Sequence, residues 1–214
     1  MNDLSQQRRE LMTALHAMAE ADLSPGASGN MSLRLPNGGM LISASGVRGN
    51  EATLESLVEI SSEGTCTPGQ AKPSSEWLMH HQVYQDHPEA AAIVHCHSPF
   101  ATVLACQRRA IPSFHYMVAV AGGVDIPCAD YATFGSAELA ENVSLALHRR
   151  KACLLANHGQ LCIAQTINKA LSLAQEVEAL AANYYFSLQN GGPTLLSNGE
   201  MEKVLQQFRH YGQQ

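Results

Sequence analysis

The chain has 214 residues, with 13 Lys and Arg against 19 Asp and Glu, a formal net charge of −6. That charge, with no basic run beyond His148 to Lys151, argues against nucleic acid as the main partner, because phosphate neutralisation dominates that affinity. No apolar run reaches the ~18 residues of a membrane-spanning helix, and the start MNDLSQQRRE lacks the apolar stretch of a signal peptide.

A soluble, cytoplasmic protein is therefore predicted. Charged residues make up only 15% of the chain, against roughly 25% for an average soluble domain, which points to surface covered by other subunits. The six cysteines contain no C-x-x-C pair and read as buried free thiols rather than a disulfide frame.

In chain order, Leu4, Leu11, Met12, Leu15, Met18 and Ala19 recur at helical spacing up to the stop at Ser24-Pro25-Gly26. Met31, Leu33 and Leu35 then alternate with Ser32 and Arg34, and Pro36-Asn37-Gly38-Gly39 turns the chain into Met40-Leu41-Ile42, a hairpin signal. A second helix is predicted from Ser74 or Ser75, whose hydroxyl can cap it, to the stop before Pro88; Glu76 then lies in the first turn.

Ala91 to His97 reads as a buried strand, and Ser98-Pro99 supplies an N-cap and an N1 proline for a helix through Phe100, Val103 and Leu104. The stretch from Ile111 to Gly135 is irregular. A helix from Ser136 through Leu147 is predicted to end on the basic run His148 to Lys151, where cations offset the macrodipole. Short strands from Cys153 to Ala156 and from Leu161 to Ala164 flank Asn157-His158-Gly159, and a long helix runs from about Thr166 to Leu188. A last helix carries Met201, Val204, Leu205 and Phe208. With no repeat and no linker, residues 1–214 read as one domain that mixes strands and helices.

His95-Cys96-His97 is the sharpest chemical signal, since alternation along a strand puts both imidazoles on one face and Cys96 on the other, into the core. Alone, the pair fits a hydrogen-bonded strand end as well as a metal site. His158 alone fits a satisfied turn residue, and Glu76 alone fits a surface charge that compensates a helix dipole. Together, three imidazoles and one carboxylate suit zinc with a position for substrate. Segments 27–30, 43–46 and 74–75 offer hydroxyls and glycine-exposed amides of the kind that hold phosphate, although each alone is also ordinary turn chemistry.

The segments S-G-N at 28–30, S-G at 45–46, K-P-S-S-E-W at 72–77, H-C-H at 95–97, H-Y-M at 115–117, I-P-C-A-D-Y-A-T-F-G at 126–135, A-N-H-G at 156–159 and R-H-Y-G at 209–212 follow one another in a familiar order. In that order and spacing the chain resembles the class II aldolase/adducin family, most closely its aldolase branch. The resemblance implies a single α/β domain, three layers with a central, largely antiparallel sheet flanked by helices, assembled as a homotetramer with active sites between subunits.

It further implies zinc, or another divalent transition metal, on His95, His97, His158 and Glu76, with Glu76 also the acid/base. Tyr116 matches a tyrosine that protonates the aldehyde oxygen, and Tyr211 a C-terminal tyrosine near the site. Gly29, Asn30, Ser45, Gly46, Ser74 and Ser75 match loops that bind the substrate phosphate. The activity implied is reversible cleavage of a sugar 1-phosphate resembling L-fuculose 1-phosphate to dihydroxyacetone phosphate and an aldehyde. Epimerisation, decarboxylation or dehydration of another sugar phosphate is the alternative, and a non-catalytic adducin-like module would have lost the ligands. The branch typically reads G-T-A-G-N and P-T-G in its phosphate loops, where this chain has Gly26-Ala27-Ser28-Gly29-Asn30 and Ala44-Ser45-Gly46.

Overall fold

A computed structural model describes residues 4–210. The amphipathic N-terminal stretch forms α1 (Leu4–Glu20), which buries Leu11, Ala14, Leu15 and Met18. The hairpin follows as β1 (Asn30–Arg34) and β2 (Met40–Ser43), with Gly38 in its turn at φ 84°, where a side chain would be strained. After β3 (Leu57–Ile60) come α2 (Trp77–Asp86), β4 (Ala92–Cys96), α3 (Pro99–Cys106), β5 (Cys128–Ala129) and α4 (Ala137–Ala146). The chain closes with β6 (Ala152–Leu155), β7 (Gly159–Ala164), α5 (Ile167–Gln189) and α6 (Asn198–His210). None of the described helices is long and apolar enough to cross a membrane.

The strands form one seven-stranded sheet in the order β3-β2-β1-β4-β7-β6-β5. Every pair is antiparallel except β5 with β6, so the sheet is mixed, with one parallel pair at its edge. Period-2 alternation divides the core into two layers. Val94, Cys96, Leu154 and Cys162 pack with residues of α1, α3 and α5 on one face, while Ile93, Leu155, Leu161 and Ile163 pack with residues of α2 and α4 on the other. β4, in the middle, is buried throughout, which explains its unbroken apolar run.

Several local expectations change. The second helix begins at Trp77, with Glu76 at its N-cap rather than in its first turn. The Ser74 hydroxyl accepts from the Glu76 amide (3.3 Å) and so holds the approach to the helix instead of capping its body. Because α4 ends at Ala146, the basic run lies beyond it; Arg149 takes φ 57°, and Arg150 pairs with Asp125 (2.6 Å) instead of meeting the helix carbonyls. β3 had no predicted counterpart, and the irregular 111–135 stretch contains the 3₁₀ turn Tyr116–Ala121 and the two-residue β5. All six cysteines are free, but only Cys96, Cys153 and Cys162 are buried, and Cys106 is exposed.

Pro99 opens α3 as expected, yet the Ser98 side chain makes no capping bond. Its hydroxyl accepts instead from Gln160 Nε2 (2.7 Å). The free amides of Phe100 and Ala101 donate to the two carboxylate oxygens of Glu178 on α5 (2.8 and 2.9 Å), so a neighbouring helix supplies the cap. Charge-assisted bonds of this kind are the stronger ones. Glu178→Ala should therefore lower unfolding stability by about 1–3 kcal/mol, as checked by urea denaturation.

Candidate metal centre and substrate pocket

Sheet register brings the predicted residues together. β4 carries His95 and hands the chain to His97; its antiparallel partner β7 places Gln160 opposite Cys96, so the β6–β7 turn with His158 arrives at the same sheet end. On the other side of β4, β1 sets Asn30 opposite His95. Contact is close here. A Cβ on Gly159 would stand 2.5 Å from the Cys96 carbonyl oxygen and 3.0 Å from His97 Cδ2, so only glycine fits. Asn157 enters the turn at φ 55°, and its amide N–H donates to the Ala105 carbonyl (2.9 Å) at the end of α3.

Glu76, His95, His97 and His158 form a cluster whose ligand atoms all lie within 4.8 Å of one another. His95 Nε2 is 3.2 Å from Glu76 Oε2 and 3.1 Å from His97 Nε2, and His158 Nε2 is 3.2 Å from Glu76 Oε1. The three imidazoles meet edge to face with centroids 4.7 to 4.9 Å apart. His95 Nδ1 donates to the Gln160 carbonyl (2.8 Å), which fixes the ring and aims Nε2 into the cluster.

Burial by itself would raise the Glu76 pKa, but the His95 and His158 imidazoles and the Asn30 amide more than offset it, and the carboxyl is held far below the usual carboxylate range. Burial and the proximity of His95 push His97 down to about 3 and His158 to about 4. Burial also acts against a charge on His95, yet the adjoining Glu76 carboxylate raises it, so His95 is the last of the three to give up a proton. Glu76 Oε1 is buried and makes no hydrogen bond, even with His158 so close. Converging nitrogen lone pairs, an orphaned carboxylate oxygen and mixed N and O donors fit a divalent transition metal.

Beside the cluster lies a cavity of about 320 Å³. Gly29, Asn30, Ser45, Gly46, Ser74 and Ser75 all line it, together with Glu76, His97 and His158 of the cluster. Backbone bonds stitch the loops together: the Ser45 amide donates to Lys72 (2.9 Å) and the Ser74 amide to Ser43 (3.0 Å). Across the cavity stand Tyr131, Phe134 and Asn157, and the Arg108 guanidinium lies 5.9 Å from the Tyr131 ring centroid.

Tyr131 and Phe134 have no role in the sequence-based expectations, although both lie in the 126–135 segment that carries part of the family resemblance. Tyr116 is 51% exposed, stacked on His115, and is not among the residues lining the cavity. Tyr211 falls outside the described residues.

The family model for the Class II Aldolase and Adducin N-terminal domain matches residues 9–185. The chain belongs to this family. Among curated members, it is 46% identical over 205 residues to a 5-methylthioribulose-1-phosphate/5-deoxyribulose-1-phosphate aldolase of Rhodospirillum rubrum, covering 96% of this chain and 92% of that one. It is 42% identical over 205 residues to an L-fuculose phosphate aldolase of Escherichia coli, covering 95% and 94%. A solved L-fuculose 1-phosphate aldolase superposes with a TM-score of 0.92 at 39% identity, covering 97% of this chain and 98% of that one. Within the family this chain is an aldolase, and its four-residue cluster separates it from a module that has lost its ligands. Gly159→Ala would push β4 from β7, and should cost about 1–3 kcal/mol in stability, as measured by chemical denaturation.

Proposed function

We propose that this aldolase uses a divalent metal, with zinc the ion assigned, to cleave a sugar 1-phosphate reversibly into dihydroxyacetone phosphate and an aldehyde. The observation that carries the proposal is the Glu76–His95–His97–His158 cluster, buried at Glu76 and His95, beside the cavity. His95, His97 and His158, with Glu76, would hold the ion. Bound there, it supplies Lewis acidity to the ketose carbonyl and offsets negative charge as the carbon–carbon bond breaks.

Loops 27–30, 44–46 and 74–75 take the phosphate through amides and hydroxyls, against the sign of a chain of net charge −6. In synthesis, the ionised Glu76 takes the proton from the dihydroxyacetone phosphate carbon and Tyr116 gives its own to the aldehyde oxygen as the carbon–carbon bond forms. Cleavage is the reverse: the Tyr116 phenolate takes the hydroxyl proton, the bond's electron pair stays with the dihydroxyacetone phosphate half, and the protonated Glu76 returns its proton to that carbon. Tyr116 is exposed and outside its own chain's cavity, so it serves the site of a neighbouring chain. A homotetramer with sites between subunits supplies that arrangement, and the exposed Leu145, Phe186 and Leu195 give it apolar surface to cover.

The relatives' names set the substrate test: L-fuculose 1-phosphate against 5-deoxyribulose 1-phosphate and 5-methylthioribulose 1-phosphate, with and without chelator and with products identified by mass. Dihydroxyacetone phosphate and an aldehyde are expected, lost on chelation, with turnover about 10²–10⁴-fold lower in Glu76→Gln. Activity that survives chelation, or a product that is only epimerised, dehydrated or decarboxylated, sinks the aldolase mechanism.

Metal and proton compete for the cluster. His95 has the raised pKa, and its Nε2 must be bare to bind. Apparent metal affinity should therefore rise with pH up to that raised value, by about tenfold per unit for one displaced proton, and level off above it. Competition titrations against a chelator across pH 5.5–8 would check the slope, and a flat profile would contradict the ligand assignment.

A further inference from the structure

His80 has no role in the chemistry above, yet it is completely buried and fully hydrogen-bonded. Two periodicities put it there. Asn30, Ser32 and Arg34 share one face of β1 at spacing 2, and Glu76, His80 and Tyr84 follow one another at spacing 4 down one side of α2 and its N-cap. Where these stripes meet, a single chain of hydrogen bonds runs inward from the cavity.

Asn30 Nδ2 donates to Glu76 Oε2 (2.9 Å), His80 Nε2 lies 2.6 Å from Asn30 Oδ1, His80 Nδ1 lies 2.7 Å from Ser32 Oγ, and Ser32 Oγ lies 2.8 Å from the Tyr84 hydroxyl. The Arg34 guanidinium covers the Tyr84 ring at 4.7 Å from its centroid.

The carboxylate dictates the direction of every bond. An ionised Glu76 can only accept, so Asn30 must turn its NH₂ toward it and its carbonyl toward His80. His80 must then carry its proton on Nε2. Burial pushes this imidazole down to about 3, so it is neutral and its bare Nδ1 accepts from Ser32. The Ser32 oxygen in turn accepts from Tyr84. All four bonds point toward Glu76.

We propose that His80 is a positioning residue: backed by Ser32 and Tyr84, it locks the Asn30 amide in the one orientation that donates to Glu76 Oε2, leaving Oε1 to handle the substrate proton. The proposal rests on the proton-moving role assigned to Glu76. With an apolar residue in place of His80, the Asn30 amide loses its lock and the carboxylate loses a fixed charge-assisted bond.

The test has two arms. In the metal-free wild-type protein, ¹⁵N NMR of the His80 ring should show a neutral imidazole with the proton on Nε2 across pH 5–8; a proton on Nδ1 overturns the proposal. In the metal-loaded enzyme, His80→Leu should lower kcat about 10–100-fold with KM for the sugar phosphate little changed. His80→Gln, whose amide offers a donor and an acceptor, should recover most of the loss.

A correctly folded His80→Leu with wild-type kcat, or a Gln variant no better than Leu, overturns it. Should the Leu variant fail to fold, Ser32→Ala must lower kcat in the same sense and remove the ¹⁵N signature of the hydrogen bond at Nδ1, and failure to do so overturns the proposal equally. Wild-type turnover in Glu76→Gln would instead bring down the mechanism itself, and leaves the NMR arm standing.

Discussion

A carboxylate sealed inside a protein must find compensation or give up its charge, and Glu76 keeps its charge. The surroundings of this one group account for much of the local architecture. Its two oxygens face different partners: Oε2 meets the Asn30 amide and the His95 ring, while Oε1 faces His158 with no hydrogen bond at all. Glu76 takes the N-cap position of α2 but makes no side-chain bond to the helix amides, which leaves its carboxylate to the cluster.

The sheet order serves the same group. With β4 between β1 and β7, the proposed metal ligands His95 and His97 have Asn30 on one side and the His158 turn on the other. Each neighbour is pinned from behind: the His95 ring by the Gln160 carbonyl, the His158 turn by its bond to the end of α3, and α3 itself by Glu178. A proposed site of several converging rings tolerates little drift, and the second layer of contacts limits it.

The cluster was legible in the residue pattern because H-x-H on a strand admits only one reading of which side each ring takes, and because His158 sat in a polar turn between two apolar runs. Glu76 was legible as a candidate ligand only in combination with the three histidines and through its family motif. Its burial was not, since helix-start signals in Ser74-Ser75-Glu76 look the same on a surface as at a pocket.

His80 was illegible for a different reason. A histidine at helical spacing among Met79, Val83 and Tyr84 carries no label, and its meaning comes from a strand some fifty residues away in sequence, matched to it only by the pairing of β1 with β4. Tyr131 and Phe134 reach the cavity through irregular backbone, which has no periodicity to read. β3, at four residues, is too short for alternation to declare itself.

The segments that wall the cavity share their foundations. The ring-bearing part stands on β4, β7 and the turn before β7; the loop at 27–30 runs into β1, which pairs with β4 at Asn30 and His95, and the loops at 44–46 and 72–74 are tied to each other beyond β2. Ala27 and Ser28, where this chain departs from the usual loop sequence, lie just before Asn30, whose amide bonds Glu76. A change in that loop is felt at the carboxylate as well as at the cavity wall, so the loop can vary in shape only as far as its grip on Glu76 survives.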